Sequence, residues 1–224
     1  RYRELTTEVR ERRRAEEQAR FLAETDPLTG CLNRRSVTSA PDELIALAAS
    51  RGEAAAFIMF DLDNFKQIND VHGHAAGDLM LQEAARRIKA CLPAGSLAAR
   101  LGGDEFACVV PFDPLNPHHV DRLAAALIEE VSRPVKFQSV ALEATISVGI
   151  TRSDSESEWL DSQTLLHMAD IAMYHAKKQG RNRYFWFEPS MESELRFRSE
   201  LAAGIRRGVQ QGEGMPLAQA PRLL

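Results

Sequence analysis

The sequence has few cysteines, no long apolar run and no excess of basic residues, and each absence excludes a class of protein. Its three cysteines, Cys31, Cys91 and Cys108, are scattered and include no CxxC pair. We therefore expect reduced thiols rather than a disulfide framework or a zinc site. No run approaches the ~18 apolar residues that a membrane span needs. The formal net charge of −4 argues against a nucleic-acid partner, since general nucleic-acid binders carry a basic surplus.

The N-terminus lacks the pattern of a signal peptide. We expect a cytoplasmic domain, with any membrane anchor of the full-length protein in segments outside this sequence. Residue 1 is Arg rather than Met, which leads us to expect a piece of a longer protein. The 224 residues, 44% of them hydrophobic and 27% charged, are enough for one globular domain with a good core and some flanking sequence.

The first 24 residues predict a helix that is dense in Arg and Glu. Three apolar positions follow coiled-coil spacing and two charged ones then interrupt the same stripe: Tyr2, Leu5 and Val9, then Arg12 and Glu16. Both a solvated helix and a dimerising linker helix fit this pattern. The segment TDPLTG at 25–30 ends the helix, because Pro and Gly interrupt helical structure.

Apolar periodicity divides the rest of the chain into strands and helices. The stretch 54–60 is wholly apolar and ends at Asp61, which is typical of a strand buried on both faces. Further strands are predicted over 97–101, 106–110 and 184–187, and a hairpin from 135–137 with 141–151. Helices are predicted over 77–92, 119–131 and 165–178, the last with Gly180 at its C′ position. The predicted class is α/β (α+β), with a central mixed, largely antiparallel sheet flanked by helices.

Two acidic segments are candidates for a metal site. Asp61 and Asp63 are two residues apart and share a face if the strand continues that far, although acidic residues at a strand end are usually only solvated. The segment Gly102-Gly103-Asp104-Glu105 is likewise an ordinary turn composition when taken alone. If the two strands are neighbours, Asp61 and Asp104 would form a hard oxygen site suited to Mg²⁺. The glycines would leave room for a triphosphate.

The segment NDVHGHAAGD at 69–78 separates this strand from the next helix. His72 and His74 are possible metal ligands by residue type, but no Cys and no further His pattern accompanies them. We therefore interpret the segment as a polar loop that precedes a helix.

Four motifs, taken in order, resemble the GGDEF family of diguanylate cyclases. DPLTGCLNRR (26–35) is similar to the family's opening motif and ADIAMYHAKKQGRNR (169–183) to its closing one. FDLDNFKQINDVHGHAAGD (60–78) and RLGGDEF (100–106) are similar to its central motifs. The resemblance covers about residues 25–188. It implies the nucleotide-cyclase or palm-like GGDEF fold, with the domain at 25–189 and a linker helix at 1–24.

The resemblance implies a metal centre and a catalytic set. Asp61, the backbone carbonyl of Leu62 and Asp104 would hold Mg²⁺ or Mn²⁺. Asp104 would also accept the proton of the attacking hydroxyl. Glu105 would help to position the metal or the nucleophile, and Lys66 would neutralise the triphosphate.

The resemblance also implies a GTP site. Asn69 and Asp78 would read the guanine, with His74 nearby. A carboxylate can accept hydrogen bonds from both guanine N1–H and the 2-amino group, which adenine does not offer. Lys177 and Arg181 would bind phosphates; without the other motifs, Lys177 reads as a cation that interacts with the dipole at a helix C-terminus.

The implied reaction is phosphoryl transfer between two GTP molecules. The 3′-hydroxyl of one attacks the α-phosphate of the other and expels pyrophosphate, and the reverse pairing then closes the ring of cyclic di-GMP. Each chain has a single guanine-and-metal set, so we expect a homodimer with the active site at its interface.

The C-terminal segment resembles the start of an EAL phosphodiesterase domain. LAAGIRRGVQQGEGMPLAQAPRLL (201–224) is similar to its entry helix and first strand, so 190–224 would be a linker and an incomplete EAL-like domain. In such tandem proteins the GGDEF half is either a cyclase or a GTP-binding regulator of the attached phosphodiesterase. A cyclic di-GMP receptor is a third alternative, which the intact signature disfavours.

One motif of many family members is missing. An RxxD motif, which binds the product and inhibits the enzyme, would fall where this sequence has Pro93-Ala94-Gly95-Ser96. Neither a guanidinium nor a carboxylate is available there, and Arg100 is at the wrong spacing to substitute. We expect no tight product inhibition through this site.

Overall fold

The apolar segment that starts at Ala54 forms the central strand of the sheet. In the computed structural model, which describes residues 2–154, 160–197 and 199, strand β1 (Ala54–Leu62) is buried along its whole length. It pairs antiparallel with a strand on each side, so its side chains face a layer of helices above and below the sheet. This is the burial that the sequence predicts.

Five strands form the main sheet in the order β2-β3-β1-β6-β7. Their bounds are Leu97–Gly102 (β2), Glu105–Phe112 (β3), Ile146–Arg152 (β6) and Arg183–Trp186 (β7). All neighbours are antiparallel except β6 and β7, which are parallel. Val135–Phe137 (β4) and Val140–Leu142 (β5) form a separate two-stranded sheet. The predicted fold class is confirmed.

Helices cover both faces of the sheet. They are α1 (Tyr2–Glu24), α2 (Ala40–Ser50), α3 (Phe65–His72), α4 (His74–Cys91), α5 (His118–Val131) and α6 (Ser162–Lys178), with a 3₁₀ turn at Ser36–Thr38. The alternation of side chains along β1 divides the core. Ile58 and Phe60 pack in the cluster that contains α4 and α5 residues, and Phe57 and Met59 pack in the cluster that contains α2 and α6 residues.

A glycine brings α6 unusually close to the sheet. A Cβ atom at Gly149 of β6 would lie 2.0 Å from the Ala169 carbonyl oxygen and 2.1 Å from the Met173 amide nitrogen. Since these are backbone atoms of α6, they cannot move aside as a side chain can. Only glycine permits this contact, which places the last turn of α6 beside the end of β1.

The prediction of one strand over 141–151 is wrong. The chain leaves the β4–β5 hairpin at Leu142 and enters the main sheet only at Ile146. Between them, Thr145 turns toward the end of β1: its carbonyl accepts from the Asp63 amide at 2.8 Å and its hydroxyl donates to the Asp63 carboxylate at 2.7 Å. These hydrogen bonds replace the strand pairing that the alternating pattern predicts. Helix α2 is also absent from the sequence-based prediction.

Hydrogen bonds from the loop after α1 hold the C-terminal end of this helix. The Glu24 carbonyl accepts from the Asn33 amide at 2.8 Å and from the Ser36 hydroxyl at 2.9 Å, and the Ala23 carbonyl accepts from the Asn33 side chain at 2.8 Å. These donors satisfy carbonyls that a helix end leaves without partners. No helix in the described part of the chain combines the length and apolar character needed to cross a membrane.

Residues 188–224 form a second unit by the pattern of contacts. Its described residues, 188–197 and 199, are helical from Pro189. Most of the predicted EAL-like segment, including all of 201–224, lies outside the described residues.

Candidate active site

The signature segment forms the tight turn that joins β2 to β3. Gly102 and Gly103 have φ values of +141° and +51°, which strain most other residues. A positive φ at the first central residue of a two-residue hairpin loop is what a type II′ turn requires. The turn therefore presents Asp104 at the end of the hairpin. The register of the neighbouring strands pairs Glu105 with Asp61, which confirms that β1 and the turn are adjacent.

Asp61 is a buried carboxylate, with 6% of its surface exposed. Lys177, in the last turn of α6, forms an ion pair with Asp61 Oδ2. Burial raises the pKa of Asp61 to about 6, against the opposing hydrogen bond and charge of Lys177; the charges of Asp104 and Asp63 raise it further. One lysine thus compensates only part of the negative charge in this site.

Asp104 shares the same environment. Burial raises the pKa of Asp104, although its own backbone and the charges of Lys177 and Arg100 act in the opposite direction. Its carbonyl is 3.4 Å from the Leu62 amide, which donates to it, so the backbones of the turn and of the end of β1 are in direct contact. The structure therefore brings together the three groups that the sequence assigns to a metal: Asp61, Leu62 and Asp104.

The donor set fits a hard divalent cation. Asp61 Oδ1 is buried and has no hydrogen-bond partner, which is an unfavourable state for a carboxylate oxygen. Among the described residues, no group of three or more His, Cys, Asp or Glu side chains is arranged to hold a metal. A cation here would therefore need backbone oxygen, water or substrate phosphate as further ligands, as Mg²⁺ commonly uses.

The prediction of a polar loop over 69–78 is wrong, because the segment is helical on both sides of one break. Helix α3 ends at His72, Gly73 has a φ of +85°, and α4 begins at His74. The segment 69–78 has few large apolar residues, so its sequence does not show that α3 and the first turn of α4 are helical. The break folds α3 back on α4, and Asn69 comes to lie against Gly77, next to Asp78. The two residues assigned to guanine are thereby adjacent.

The remaining cations and His74 lie at the edges of this region. Lys66, in the first turn of α3, and His74, at the start of α4, are exposed. Arg181 follows α6 in a Schellman arrangement: its amide donates to the Ala176 carbonyl at 3.0 Å and that of Gly180 to the Lys177 carbonyl at 3.4 Å. The prediction that Gly180 terminates the helix is confirmed.

Two groups hold the site through contacts that the sequence did not reveal. Arg100 donates to the Gly103 carbonyl at 2.9 and 2.7 Å and to both carboxylate oxygens of Asp26 at 3.1 and 3.2 Å. Asp26 also accepts from the Thr29 amide and hydroxyl at 2.9 and 2.7 Å. The opening motif is thereby linked to the signature turn. Arg100 and Asp26 belong to two separate motifs, which is the only sequence feature that could have indicated the link. They are 74 residues apart in sequence, so the contact was not predictable from local sequence.

The second group is Asp63, which the sequence offered with Asp61 as a candidate for a metal site. The strand ends at Leu62, and Asp63 instead joins several elements. It accepts from Ser147 Oγ at 2.7 Å, from Thr145 Oγ1 at 2.7 Å and from the Asn182 amide at 3.3 Å. Arg181 Nε lies 4.0 Å from it. Asp63 therefore joins the end of β1 to β6 and to the loop after α6. This buried carboxylate has several hydrogen-bond partners, whereas Asp61 Oδ1 has none.

These features agree with the comparison to known proteins. Residues 23–183 match the family model described as "Diguanylate cyclase, GGDEF domain". The chain belongs to this family.

Particular relatives are longer than this chain. It is 41% identical over 219 residues to an uncharacterized signaling protein of Caulobacter vibrioides, covering 95% of this chain and 27% of that protein. It is 34% identical to the bifunctional diguanylate cyclase/cyclic di-GMP phosphodiesterase MucR of Pseudomonas aeruginosa, covering 91% of this chain and 29% of that protein. Among solved structures, the coiled coil and GGDEF domain of DgcB from Caulobacter crescentus, in complex with c-di-GMP, is 30% identical with a TM-score of 0.72, covering 82% of this chain and 95% of that one.

Proposed function

We propose that this chain is a diguanylate cyclase domain that condenses two GTP molecules into cyclic di-GMP and two pyrophosphates. Family membership supports the reaction class. The structural observation that carries the proposal is the pair of Asp61, which is buried, and Asp104, which is half-buried. They lie beside Lys177, and one oxygen of Asp61 has no partner. An excess of buried negative charge is costly unless a cation compensates it.

Mg²⁺ or Mn²⁺ would be held by Asp61, the backbone carbonyl of Leu62 and Asp104. When bound, such a cation lowers the pKa of a coordinated hydroxyl and stabilises negative charge on phosphate. The same positive charge would satisfy the Asp61 oxygen that has no partner and favour the ionised form of both carboxylates.

Three cations and three polar groups would hold the nucleotide. Lys66, Lys177 and Arg181 would bind the phosphates, and Asn69 and Asp78 the guanine, with His74 close by. Lys177 is already directed into the site by its contact with Asp61. The guanine site on α3 and α4 and the carboxylates at the end of β1 would place the α-phosphate near the signature turn.

The reaction then consists of two equivalent displacements. The 3′-oxygen of one GTP forms a bond to the α-phosphorus of the other, the bond to the β-phosphate oxygen breaks, and pyrophosphate leaves. Asp104 would accept the hydroxyl proton. Glu105, paired in register with Asp61, would help to orient the reacting groups. The second displacement repeats these steps with the roles of the nucleotides exchanged.

One chain provides one such site, so two copies would have to face each other for turnover. Positioning two bound nucleotides against each other would contribute much of the rate enhancement. A homodimer is therefore part of the proposal, with GTP as substrate and cyclic di-GMP as product.

The direct experiment is incubation of the purified chain with GTP and Mg²⁺, followed by chromatography for cyclic di-GMP. Asp61→Ala should reduce turnover on the order of 10³-fold or more. Asp113→Ala, a carboxylate change in the loop beyond β3 at the other end of that strand, is the matched control and should retain activity. Near-normal turnover by Asp61→Ala would refute the assigned site.

The second candidate is a GTP-binding regulatory domain that controls an attached EAL phosphodiesterase in the cytoplasm. It is favoured by the EAL-like sequence at 201–224 and by a relative, PdeR of Escherichia coli, that is named only as a cyclic di-GMP phosphodiesterase. The same incubation separates the two: GTP that binds in the presence of Mg²⁺ without conversion would favour the regulatory function.

A further inference from the structure

Gly77 is a glycine in the interior of a helix, where glycine is a poor residue. It is the fourth residue of α4 and is buried. A Cβ atom at this position would lie 1.9 Å from Asn69 Oδ1 and 2.9 Å from Asn69 Cγ. The side-chain amide of Asn69 therefore occupies the space that any other residue at position 77 would fill.

This contact fixes where the amide lies. The backbone of Asn69 is held at the α3–α4 break, where its carbonyl accepts from the Gly73 amide at 2.9 Å. Its side chain then reaches the α4 backbone one residue before Asp78. The missing side chain at position 77 is what allows the Asn69 amide to lie against the α4 backbone at the residue that precedes Asp78.

We infer that Gly77 is a positioning residue for guanine recognition, acting through Asn69. The inference rests on the proposed function, in which Asn69 and Asp78 read the base. Gly77 itself offers the base no hydrogen-bonding side chain. Its contribution is to hold the Asn69 amide in the orientation that guanine requires.

If Gly77 served only to stabilise the fold, Gly77→Ala should lower the stability of the domain. If Gly77 positions Asn69, the same change should leave the stability unchanged or raise it. The atoms nearest to a Cβ at position 77 belong to the end of the Asn69 side chain, which can rotate away; the Phe65 ring, at 3.1 Å, needs to shift by only a few tenths of an ångström. Alanine also favours the helix more than glycine does. Gly77→Ala should therefore keep or raise the melting temperature while it displaces the Asn69 amide and weakens guanine binding.

The test is calorimetry of the full chain with Mg²⁺ and two probes whose α–β bond cannot be cleaved, the α,β-methylene analogues of GTP and ATP. Gly77→Ala should bind the guanosine probe about 10-fold more weakly, as expected for the loss of one good hydrogen bond, with no change for the adenosine probe. Gln82→Ala, an exposed change on the same helix, controls for helix propensity and should leave both affinities unchanged.

A double variant establishes whether Gly77 acts through Asn69. Asn69→Ala/Gly77→Ala should bind the guanosine probe as Asn69→Ala does, because the shared interaction can be lost only once. Additive losses, or full guanine selectivity in Gly77→Ala, would overturn the inference. If Gly77→Ala does not fold, the double variant is used instead. The inference then requires that the double variant folds and that it binds the guanosine probe as Asn69→Ala does; a double variant that fails to fold or binds differently overturns the inference. Equal binding of both probes by the unmodified chain would refute the proposed function itself, and the inference with it.

Discussion

Asp104 lies where burial favours the uncharged, protonated form of its carboxyl group. Burial raises the pKa of this carboxyl, so the folded protein prefers its protonated form. The stability from this preference is fully present below the unfolded pKa of about 3.9, and it is lost as the pH rises through the raised folded pKa. Above that pH the carboxylate lowers the stability of the metal-free domain.

Asp104→Asn should therefore separate stability from activity. We expect cyclic di-GMP production to fall on the order of 10³-fold or more. The free energy of unfolding at pH 8, measured with urea in the absence of metal, should be unchanged or higher, because the amide removes a buried charge. At pH 4 the difference between variant and parent should be smaller. A clear loss of stability at pH 8 would contradict the proposed environment of Asp104.

Asp78→Asn should reduce the preference for guanine. The amide can no longer accept hydrogen bonds from both N1–H and the 2-amino group, and a mismatched hydrogen-bond pattern costs up to about 10⁴-fold. The measurement is the ratio of GTP to ATP affinity by calorimetry. Asp70→Asn, an exposed carboxylate on α3, is the control and should keep the ratio of the parent. Equal affinity of the parent for ATP and GTP would exclude this role for Asp78.

Between elements, Arg87 joins α4 to the end of α5. It is buried and donates to the carbonyls of Glu130, Val131, Arg133 and Pro134, at 2.5–3.3 Å. Its Nε donates to Glu83 at 2.8 Å. Carbonyls at the end of α5 and in the following turn therefore accept hydrogen bonds from another helix.

Glu83 makes this junction sensitive to acid. Hydrogen bonds from Arg86, and then those from Arg87, hold the pKa of Glu83 at about 2, against the opposing effect of burial. Its stabilisation is present above the unfolded value of 4.5 and is lost as the pH falls toward 2. Glu83→Gln should remove on the order of 1 kcal/mol at pH 7, less than the full shift implies, because solvent screens a partly exposed pair.

The measurement is urea unfolding at several pH values between 2 and 7. The stability of Glu83→Gln should depend less steeply on pH below 4.5 than that of the parent. Glu129→Gln, an exposed change on α5, should leave the profile unaltered. Identical profiles for parent and Glu83→Gln would show that the Arg pair contributes nothing measurable.

Elements with a strong apolar period were predictable from the sequence, and their junctions were not. The buried strand that begins at Ala54 is a continuous apolar run, and most of the long helices have a clear apolar period, so their type and approximate bounds follow from local sequence. The break at Gly73 was missed because polar residues on both sides carry little periodic signal. Within the site, Asp61 and Asp104 were proposed as a metal site from their residue type and expected adjacency, and the motif resemblance then supported that assignment. The contacts of Arg100 and Asp63 were missed because their hydrogen-bond partners are distant in sequence.

For the whole molecule, the proposed two-chain site predicts that activity depends on protein concentration. Among the described side chains of α1, the exposed large apolar residues are Val9, Phe21 and Leu22. They do not share one face of the helix, so we expect weak association of the isolated chain. Specific activity should therefore rise steeply with concentration, measured alongside mass by light scattering. Activity that stays flat across a hundredfold dilution of a monomeric sample would exclude a shared active site.

We also predict that this chain lacks tight feedback inhibition. Residues 93–96 form a turn in which the Ser96 amide donates to the Pro93 carbonyl at 3.3 Å and Gly95 has a φ of +81°. The turn presents no guanidinium or carboxylate of its own to cyclic di-GMP. Initial rates should be insensitive to added product, apart from competition with GTP. Non-competitive inhibition at low micromolar product would reveal an inhibitory site elsewhere on the domain.

The link from Asp26 through Arg100 to Gly103 couples the C-terminal end of α1 to the signature turn. At ~1.5 Å per residue, the 23-residue helix is about 35 Å long. Its C-terminal end is held by Asn33 and Ser36. A rigid tilt of α1 would turn about this end, which lies beside the signature turn. A tilt of ~10° moves the far end by ~6 Å, given the same rise, but moves a group a few ångströms from the C-terminal end by under 1 Å. A large displacement at the N-terminal end of α1 would therefore reach the neighbourhood of the signature turn as a small one, on the scale to which hydrogen bonds respond.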